Sequence, residues 1–539
     1  MNYQRILDKG VPKNTIILPS AGNGTCVCDI WIDVVSLLHE KISIIPKYFF
    51  YLDEGKLKTK KSDFLKQCGE DVFFHNHLNA WNGLGYPEVK KRNFLDEPQL
   101  KNIAHYELIG LKMMDRIDPL GDSFPFLHRQ FFFRELVLRW LDIIDDMDIN
   151  LVISPEVPHR VYDYALYVAM KIKKVPLLTF EVVSIFGSDA SFIIDDIDSL
   201  PIFHKEYINS LKTSGFNKDI KKKVLSISDV KGSYNLWYMD KLQENRAATK
   251  SGLMLLKMSK KIYKDFIFRP IKTYQYIFGR QHWSYNVKKG LMPRDSFYTY
   301  SLYELLKLNW FREKRINELN SLYMNMVSDF DKKVNYIFVA LHYQPELTTS
   351  PTAGVFVDQL LIIDMLDRFL PQNIIIYVKE HSAQFNKLTE SSSGRTTEFY
   401  FKLAEFSQRV KILDVSHDSL KLIDSALAVV TVSGTVGFES IMKGTPALIF
   451  GRAWYEGLPG VLKIKSTNDL KKCWAKLEKA EFKVESKLAE DYLHKLSQLF
   501  IYGLANGSVI EISNRPHKES VDNIVEGILS YLRLSLKYE

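Results

Sequence analysis

The sequence predicts an α/β protein of two doubly wound domains that face a cleft, with a helical segment connecting them. Three observations carry this prediction. Short β-branched runs alternate with helical patterns in both halves, the stretch 219–332 interrupts that alternation, and polar glycine-containing motifs stand directly after strand-like runs.

In the first half, strand-like runs occur at 15–19, 42–45, 150–154 and 175–180. Apolar residues recur at helical spacing over 131–147 and lead into the run at Leu151. A parallel sheet covered by helices on both faces follows. The middle stretch is rich in lysine and tyrosine and poor in strand signals. Within it, 254–280 sets Lys257, Lys260, Lys261, Lys264, Arg269, Lys272 and Arg280 among Leu255, Leu256, Ile262, Phe266, Ile267, Phe268 and Tyr276. That mixture suits a packed helix with a solvated face, or contact with an anionic membrane surface. The second half alternates most clearly, with strands at 336–341, 374–378, 410–413, 427–432 and 447–450 and helices at 356–369, 398–406, 419–425 and 436–443. A last amphipathic helix covers 520–536. The expected division is an acceptor-side α/β domain at 1–218, a helical, basic connecting segment at 219–332, a nucleotide-sugar-binding α/β domain at 333–510 and a terminal helix at 511–539.

Composition narrows the class. The chain has 539 residues, 46% hydrophobic and 25% charged, enough apolar material for more than one core. A net charge of +8 without an arginine-rich run argues against nucleic acid as a partner. Cys26, Cys28, Cys68 and Cys473 lack zinc spacing and suit a reducing compartment. No apolar run reaches the ~20 residues a bilayer span needs, and 1–18 has no signal-peptide core. A cytoplasmic protein, peripheral on the inner membrane face at most, is expected.

The motifs that carry chemistry cluster in the second half. Thr431-Val432-Ser433-Gly434-Thr435-Val436-Gly437-Phe438-Glu439 runs from an apolar strand through a small-residue turn into a helix. Free N–H groups at such a start attract phosphate, Gly434 permits close approach, and Ser433 and Thr435 add hydroxyls or serve as N-caps. Lys379-Glu380-His381 follows another strand, where Lys379 can offset phosphate charge and His381 can hydrogen-bond a leaving group. His342, Gln344, Glu346 and Thr348 occupy the first loop of this half and, with Glu439, are expected to face the cleft. Arg452, after the run 447–450, is a candidate partner for phosphate or a sugar carboxylate. In the first half, Glu156, His159 and Glu181 follow apolar strands and are candidates to activate an acceptor hydroxyl. Asp195, Asp196 and Asp198 read as a solvated loop, and no convincing metal set forms. His75 and His77 carry no assignment.

Taken in order, His342-Tyr343-Gln344-Pro345-Glu346, Tyr377-Val378-Lys379-Glu380-His381, Ser433 to Glu439, Lys443-Gly444-Thr445-Pro446 and Gly451-Arg452-Ala453-Trp454-Tyr455 resemble the capsule polysaccharide biosynthesis family. That family includes the Kdo transferases of capsule and lipopolysaccharide assembly. The resemblance covers about the last 200 residues and only weakly the first half. It implies a GT-B fold of two Rossmann-like domains, a CMP-activated sugar donor, Lys379 and His381 near the donor phosphate, and Ser433, Gly434 and Thr435 holding it. Two positions depart from the family pattern: Ser382 follows His381 where many relatives have proline, and Glu181-Val182-Val183 stands where the Kdo transferases tend to carry Glu-Asp-Gly.

The expected activity is therefore metal-independent, cofactor-free transfer of a sugar from a nucleotide donor to a glycan or glycolipid acceptor. A sugar-nucleotide epimerase of the same fold, and a non-catalytic partner in polysaccharide assembly, are the alternatives.

Overall fold

The computed structural model describes residues 3–19, 21–22, 25–26, 28–52, 54–117, 124–186, 189–211, 286–288, 292–294, 302–344, 346–385, 394–478, 484–505, 513 and 515–538. The basic stretch 254–280 lies outside them.

The N-terminal sheet contains β1 (Lys13–Ile17), β2 (Ile44–Tyr51), β3 (Phe73–Asn76), β4 (Leu151–Ser154), β5 (Leu177–Val182) and β6 (Ala190–Ile194). Its parallel part runs β3-β2-β1-β4-β5, and β6 joins antiparallel beside β5. The expected strand at 42–45 is displaced: α1 (Cys28–Ile42) ends there, Ser43 turns at φ 56°, and β2 continues to Tyr51. Pro46 sits inside β2 without a ladder donor, and the register against β1 slips there, pairing Thr15 with Pro46 but Ile16 with Tyr48. Three further helices cover this sheet: α2 (Glu97–Met113), α3 (Phe126–Asp146) and α4 (Val161–Lys173). In α3, Phe132, Phe133, Leu136, Val137, Trp140, Leu141, Ile143 and Ile144 are buried at helical spacing. Gly110 of α2 admits Phe133, whose Cε2 would lie 2.5 Å from a Cβ built there.

Of the expected helical connection, the described part holds a short antiparallel pair, Asn286–Lys288 with Met292–Arg294, and the helix α5 (Leu302–Met324).

The C-terminal sheet is fully parallel and ordered β9-β8-β7-β10-β11-β12, from β7 (Tyr336–Ala340), β8 (Ile375–Lys379), β9 (Val410–Leu413), β10 (Ala428–Thr431), β11 (Ala447–Ile449) and β12 (Val461–Lys463). In domain order this is 3-2-1-4-5-6, the Rossmann arrangement, whose crevice opens beyond the strand ends where the order reverses, between β7 and β10. The helix expected over 356–369 divides into a 3-10 turn at Gly354–Val357 and α6 (Leu360–Phe369), because Asp358 adopts extended backbone. After β10 comes α7 (Thr435–Met442), which ends in a Schellman motif. Gly444 takes φ 85°, Thr445 donates to the Ser440 carbonyl at 2.8 Å and Gly444 to that of Ile441 at 3.0 Å.

The chain then returns to the first domain, which its local pattern does not announce. β13 (Ile501–Tyr502) pairs antiparallel with β6, and α8 (His517–Tyr538) packs on α1. Trp31 Nε1 donates to the Ala505 carbonyl at 2.9 Å, and Gly527 leaves room for Ile501. Burying Val521, Ile524, Val525, Ile528, Leu529 and Leu532 on one face of α8 fixes the return, at about 1.5–3 kcal/mol for each fully covered side chain. One apolar core runs from the N-terminal helices into Phe438, Ile441, Met442, Trp454, Tyr455 and Leu458 of the second domain. No helix among the described residues is long and apolar enough to cross a membrane.

Candidate active site

Every strand of the C-terminal sheet points its carboxyl end toward one rim. The loop between β10 and α7 is the best defined feature there. Gly434 is the N-cap of α7, with extended backbone and no side chain capping the helix. Ser433 and Thr435 thus do not serve as caps; the Ser433 hydroxyl donates to the Thr348 carbonyl at 2.9 Å, and Thr435 opens the helix half-buried. From behind, His342 fixes the turn. Its Nε2 lies 2.8 Å from Thr431 Oγ1 and accepts from the Val432 and Ser433 amides at 3.2 and 3.3 Å. Three donors aimed at Nε2 leave the proton on Nδ1, which faces Thr348 Oγ1 at 3.3 Å; that hydroxyl donates to Glu346 Oε2 at 2.7 Å. Burial, with His381 and Arg395 adding to it, pulls the His342 imidazole down to about 3, so it stays neutral. His342 and Glu346 therefore support the turn, and His342 is only 6% exposed instead of presenting its ring to the cleft.

From the front, Tyr455 donates its hydroxyl to the Gly434 carbonyl, and Gly437 leaves space for that ring. Gly451 bonds the Val432 carbonyl at 2.8 Å, bracing the same turn from the loop after β11.

The carboxyl end of β8 supplies the cationic side. Lys379 is buried, donates to the His417 carbonyl at 3.1 Å, and is held below the usual lysine range by burial, against the pull of Asp418, Asp414, Glu380 and Glu439. Glu439, on α7, belongs to the same cluster. Burial pushes its carboxyl up to about 7; Asp418 adds to the rise and Lys379 and Lys443 oppose it. A carboxyl poised there holds or releases a proton near neutral pH. His381 is half-buried, its ring centroid 6.1 Å from that of Tyr343, and its Nδ1 accepts from the Ala383 amide at 3.1 Å. With Nδ1 accepting that bond, the neutral ring carries its proton on Nε2.

The two domains meet at these strand ends. Arg452, expected to hold a ligand anion, instead crosses the interface: Nε donates to the Ile197 carbonyl at 2.9 Å and Nη2 to Glu181 Oε2 at 2.6 Å. Its Nη1 is buried and has no partner among the described residues. Beside it, Phe186 meets Trp454 edge-on at 6.1 Å. Glu156 is likewise engaged, accepting from Arg160 Nη1 at 2.5 Å, and His159 Nδ1 lies 2.8 Å from the Val157 carbonyl. The acidic run forms a buried-to-surface tyrosine network, not a solvated loop: Asp196 accepts from Tyr167 and Lys171, and Asp198 from Tyr106 and Tyr167. His75 and His77 are buried against Tyr48 and Tyr162, with ring nitrogen to hydroxyl distances of 2.5 Å each.

A family model described as "Capsule polysaccharide biosynthesis protein" matches residues 339–498. That match spans most of the C-terminal sheet domain. No curated protein sequence matches the chain significantly. Among solved structures, a Thermosulfurimonas dismutans KpsC β-Kdo 2,7 transferase shows 10% identity and a TM-score of 0.27, covering 89% of this chain and 99% of that one. A UDP-GlcNAc 2-epimerase from Methanocaldococcus jannaschii shows 11% identity and a TM-score of 0.23, with coverage of 90% and 99%. A glycosyltransferase from Rickettsia africae shows 11% and 0.22, with coverage of 98% and 100%. Scores this low give these likenesses no functional weight.

The capsule-family match contains Lys379, His381, Ser433, Gly434, Thr435, Glu439 and Arg452, together with His342, Gln344 and Glu346. Glu156, His159 and Glu181 lie outside it. Sequence reasoning missed Arg395, Thr431 and Tyr455. Thr431 and Tyr455 stood inside quoted motifs, and a hydroxyl at a strand end was the available signal. Arg395 had none, because its partners are distant in the chain.

Proposed function

We propose that the chain transfers a sugar from a nucleotide-activated donor, with a CMP-sugar such as CMP-Kdo the first candidate, to a growing bacterial surface polysaccharide of the capsule or lipopolysaccharide type. In this reading 333–510 binds the donor, 1–218 the acceptor, and the chain works at the cytoplasmic face of the membrane. The observation that carries it is the uncapped start of α7 at Gly434, held from both sides by His342 and Tyr455 at the Rossmann switch point, with Lys379 at the carboxyl end of β8 on the same rim. Backbone N–H groups and an ammonium fixed in advance stabilise the negative charge that grows on a departing phosphate. His381 would hydrogen-bond the same phosphate. Lys379, His381 and the helix start together support transfer without a metal. Glu181, at the meeting of the domains, is the foremost candidate to accept the acceptor's proton, with Glu156 and His159 behind it.

One observation favours a second reading, a non-catalytic partner: Glu181 and Glu156 are each tied to an arginine. The purified protein should be incubated with CMP-, UDP-, GDP- and dTDP-sugars and a membrane glycolipid extract, with and without EDTA, and products followed by mass spectrometry. Sugar-extended glycolipid formed in EDTA supports transfer. Altered sugar nucleotide without acceptor would mean epimerisation, and nucleotide binding without turnover would favour the non-catalytic partner.

A further inference from the structure

We infer that Arg395 is a positioning residue for the nucleotide site, setting through one guanidinium both the His381 loop and the turn that opens α7. This deepens the donor-site reading above and rests on it for the identity of the ligand.

The Arg395 and Glu380 side chains are fully buried as an ion pair, with Nε 2.9 Å from Oε2 and Nη2 3.2 Å from Oε1. Nη2 also donates to the His342 carbonyl at 2.9 Å, and Nη1 donates to Gln344 Oε1. The cation thus joins the loop after β7 to the loop after β8. Each loop then carries the constraint onward. Glu380 Oε1 accepts from the His381 amide at 2.9 Å, so the pair orients the backbone of the residue whose ring lies beside Tyr343. His342, pinned at its carbonyl, uses its ring to hold Thr431, Val432 and Ser433. Tyr400 completes the set by donating to Glu380 Oε2 at 3.0 Å.

The backbone beside the arginine is equally committed. A Cβ on Gly394 would lie 1.9 Å from the Gln344 carbonyl oxygen, so only glycine lets this segment press on that loop. Gln384 adds a reciprocal pair, its Oε1 accepting from the Gln344 amide at 3.0 Å and its Nε2 donating to the Gln344 carbonyl at 3.3 Å. An apolar pair of similar volume would commonly serve stability as well as a buried ion pair. What it would not supply is four directed bonds to two loops that the sequence separates. A lysine cannot reproduce the forked geometry.

Arg409 provides the control. It is also a buried arginine of this domain, bonded to Asp367 and to the Leu370 carbonyl, but it precedes β9 and so lies at the opposite end of the strands. Arg395→Lys, Arg409→Lys and the milder Gln344→Leu should be compared by thermal unfolding, by nitrogen-15 spectra of the histidine rings, and by calorimetric titration with CMP, UDP, GDP and dTDP. The expected result is altered His342 and His381 ring signals in Arg395→Lys and Gln344→Leu. Affinity for whichever nucleotide binds the wild type should fall about 10- to 100-fold in Arg395→Lys, the scale of a small misplacement of binding groups. Arg409→Lys should lose stability with its ring signals and affinity unchanged. Wild-type ring signals in both Arg395→Lys and Gln344→Leu, or affinity unchanged in Arg395→Lys, would overturn the inference. If no nucleotide binds the wild type, the donor reading fails, while the ring spectra still decide whether Arg395 sets the two loops. Should Arg395→Lys not fold, Gln344→Leu decides the spectral arm.

Discussion

Arg452 reaches out of the C-terminal domain and donates from Nη2 to Glu181 Oε2 at 2.6 Å, with the arginine side chain 1% and the glutamate side chain 15% exposed. Removing one member of a pair this well buried strands the other charge, typically at about 3–5 kcal/mol. Glu181→Gln should therefore destabilise the protein strongly, measurable as a lower denaturant midpoint, and Arg452→Met/Glu181→Met should recover a large part of the loss. A double-mutant cycle with no coupling would contradict a pair that ties the domains together.

The Glu439 carboxyl, raised to about 7 by burial, makes stability depend on pH in a definite direction. Between its ordinary value and 7 the folded state keeps a proton that the unfolded state has released, so raising pH through this window costs stability. The full penalty is present above 7, roughly 3–4 kcal/mol. Glu439→Gln should be more stable than wild type at pH 8 and nearly equal at pH 4.5. Urea melts at the two pH values check this.

Acid should act through buried imidazoles. Burial lowers His75 to about 4 and His77, His204 and His342 to about 3. Below about 6.5 the unfolded chain takes up protons that these rings refuse, and stability falls as pH drops toward their folded values. Each contributes at most about 1.4 kcal/mol per pH unit. Denaturant midpoints at pH 7, 6 and 5 should decline progressively, and His77→Gln should reduce the slope.

At the turn into α7, a Cβ on Gly437 would sit 2.4 Å from the Tyr455 hydroxyl oxygen. Gly437→Ala should lose about 1–3 kcal/mol by overpacking and weaken any nucleotide that binds there. Tyr455→Phe removes the clashing oxygen, so Gly437→Ala/Tyr455→Phe should be more stable than Gly437→Ala alone. Thermal unfolding of the three variants gives the comparison.

How much of this was readable from the sequence follows from the range of the interactions. The alternation around β7 to β11 was legible because buried parallel strands read as apolar runs closed by polar loops, and Ser433-Gly434-Thr435 stood out because a glycine-rich strand end has few other uses. The interrupted strand at Pro46 misled because a bulge accommodates a proline that would end an ordinary central strand. β13 and α8 were invisible as parts of the first domain, since Trp31 and Ala505 are joined by the fold and not by local pattern. At the site, Lys379 and His381 were legible as polar residues at a strand end. The inward turn of His342, the diversion of Arg452 to Glu181 and the role of Arg395 depend on partners tens to hundreds of positions away.

The central claim is that the C-terminal rim binds a nucleotide between α7 and the loop after β8. The most direct measurement is the shift in unfolding temperature of the wild type, Lys379→Met and His381→Ala with CMP, UDP, GDP and dTDP, because a ligand that binds only the folded state raises its stability. The account predicts that one nucleotide stabilises the wild type and that both substitutions abolish the shift. Stabilisation that survives both substitutions, or none from any of the four nucleotides, would contradict it.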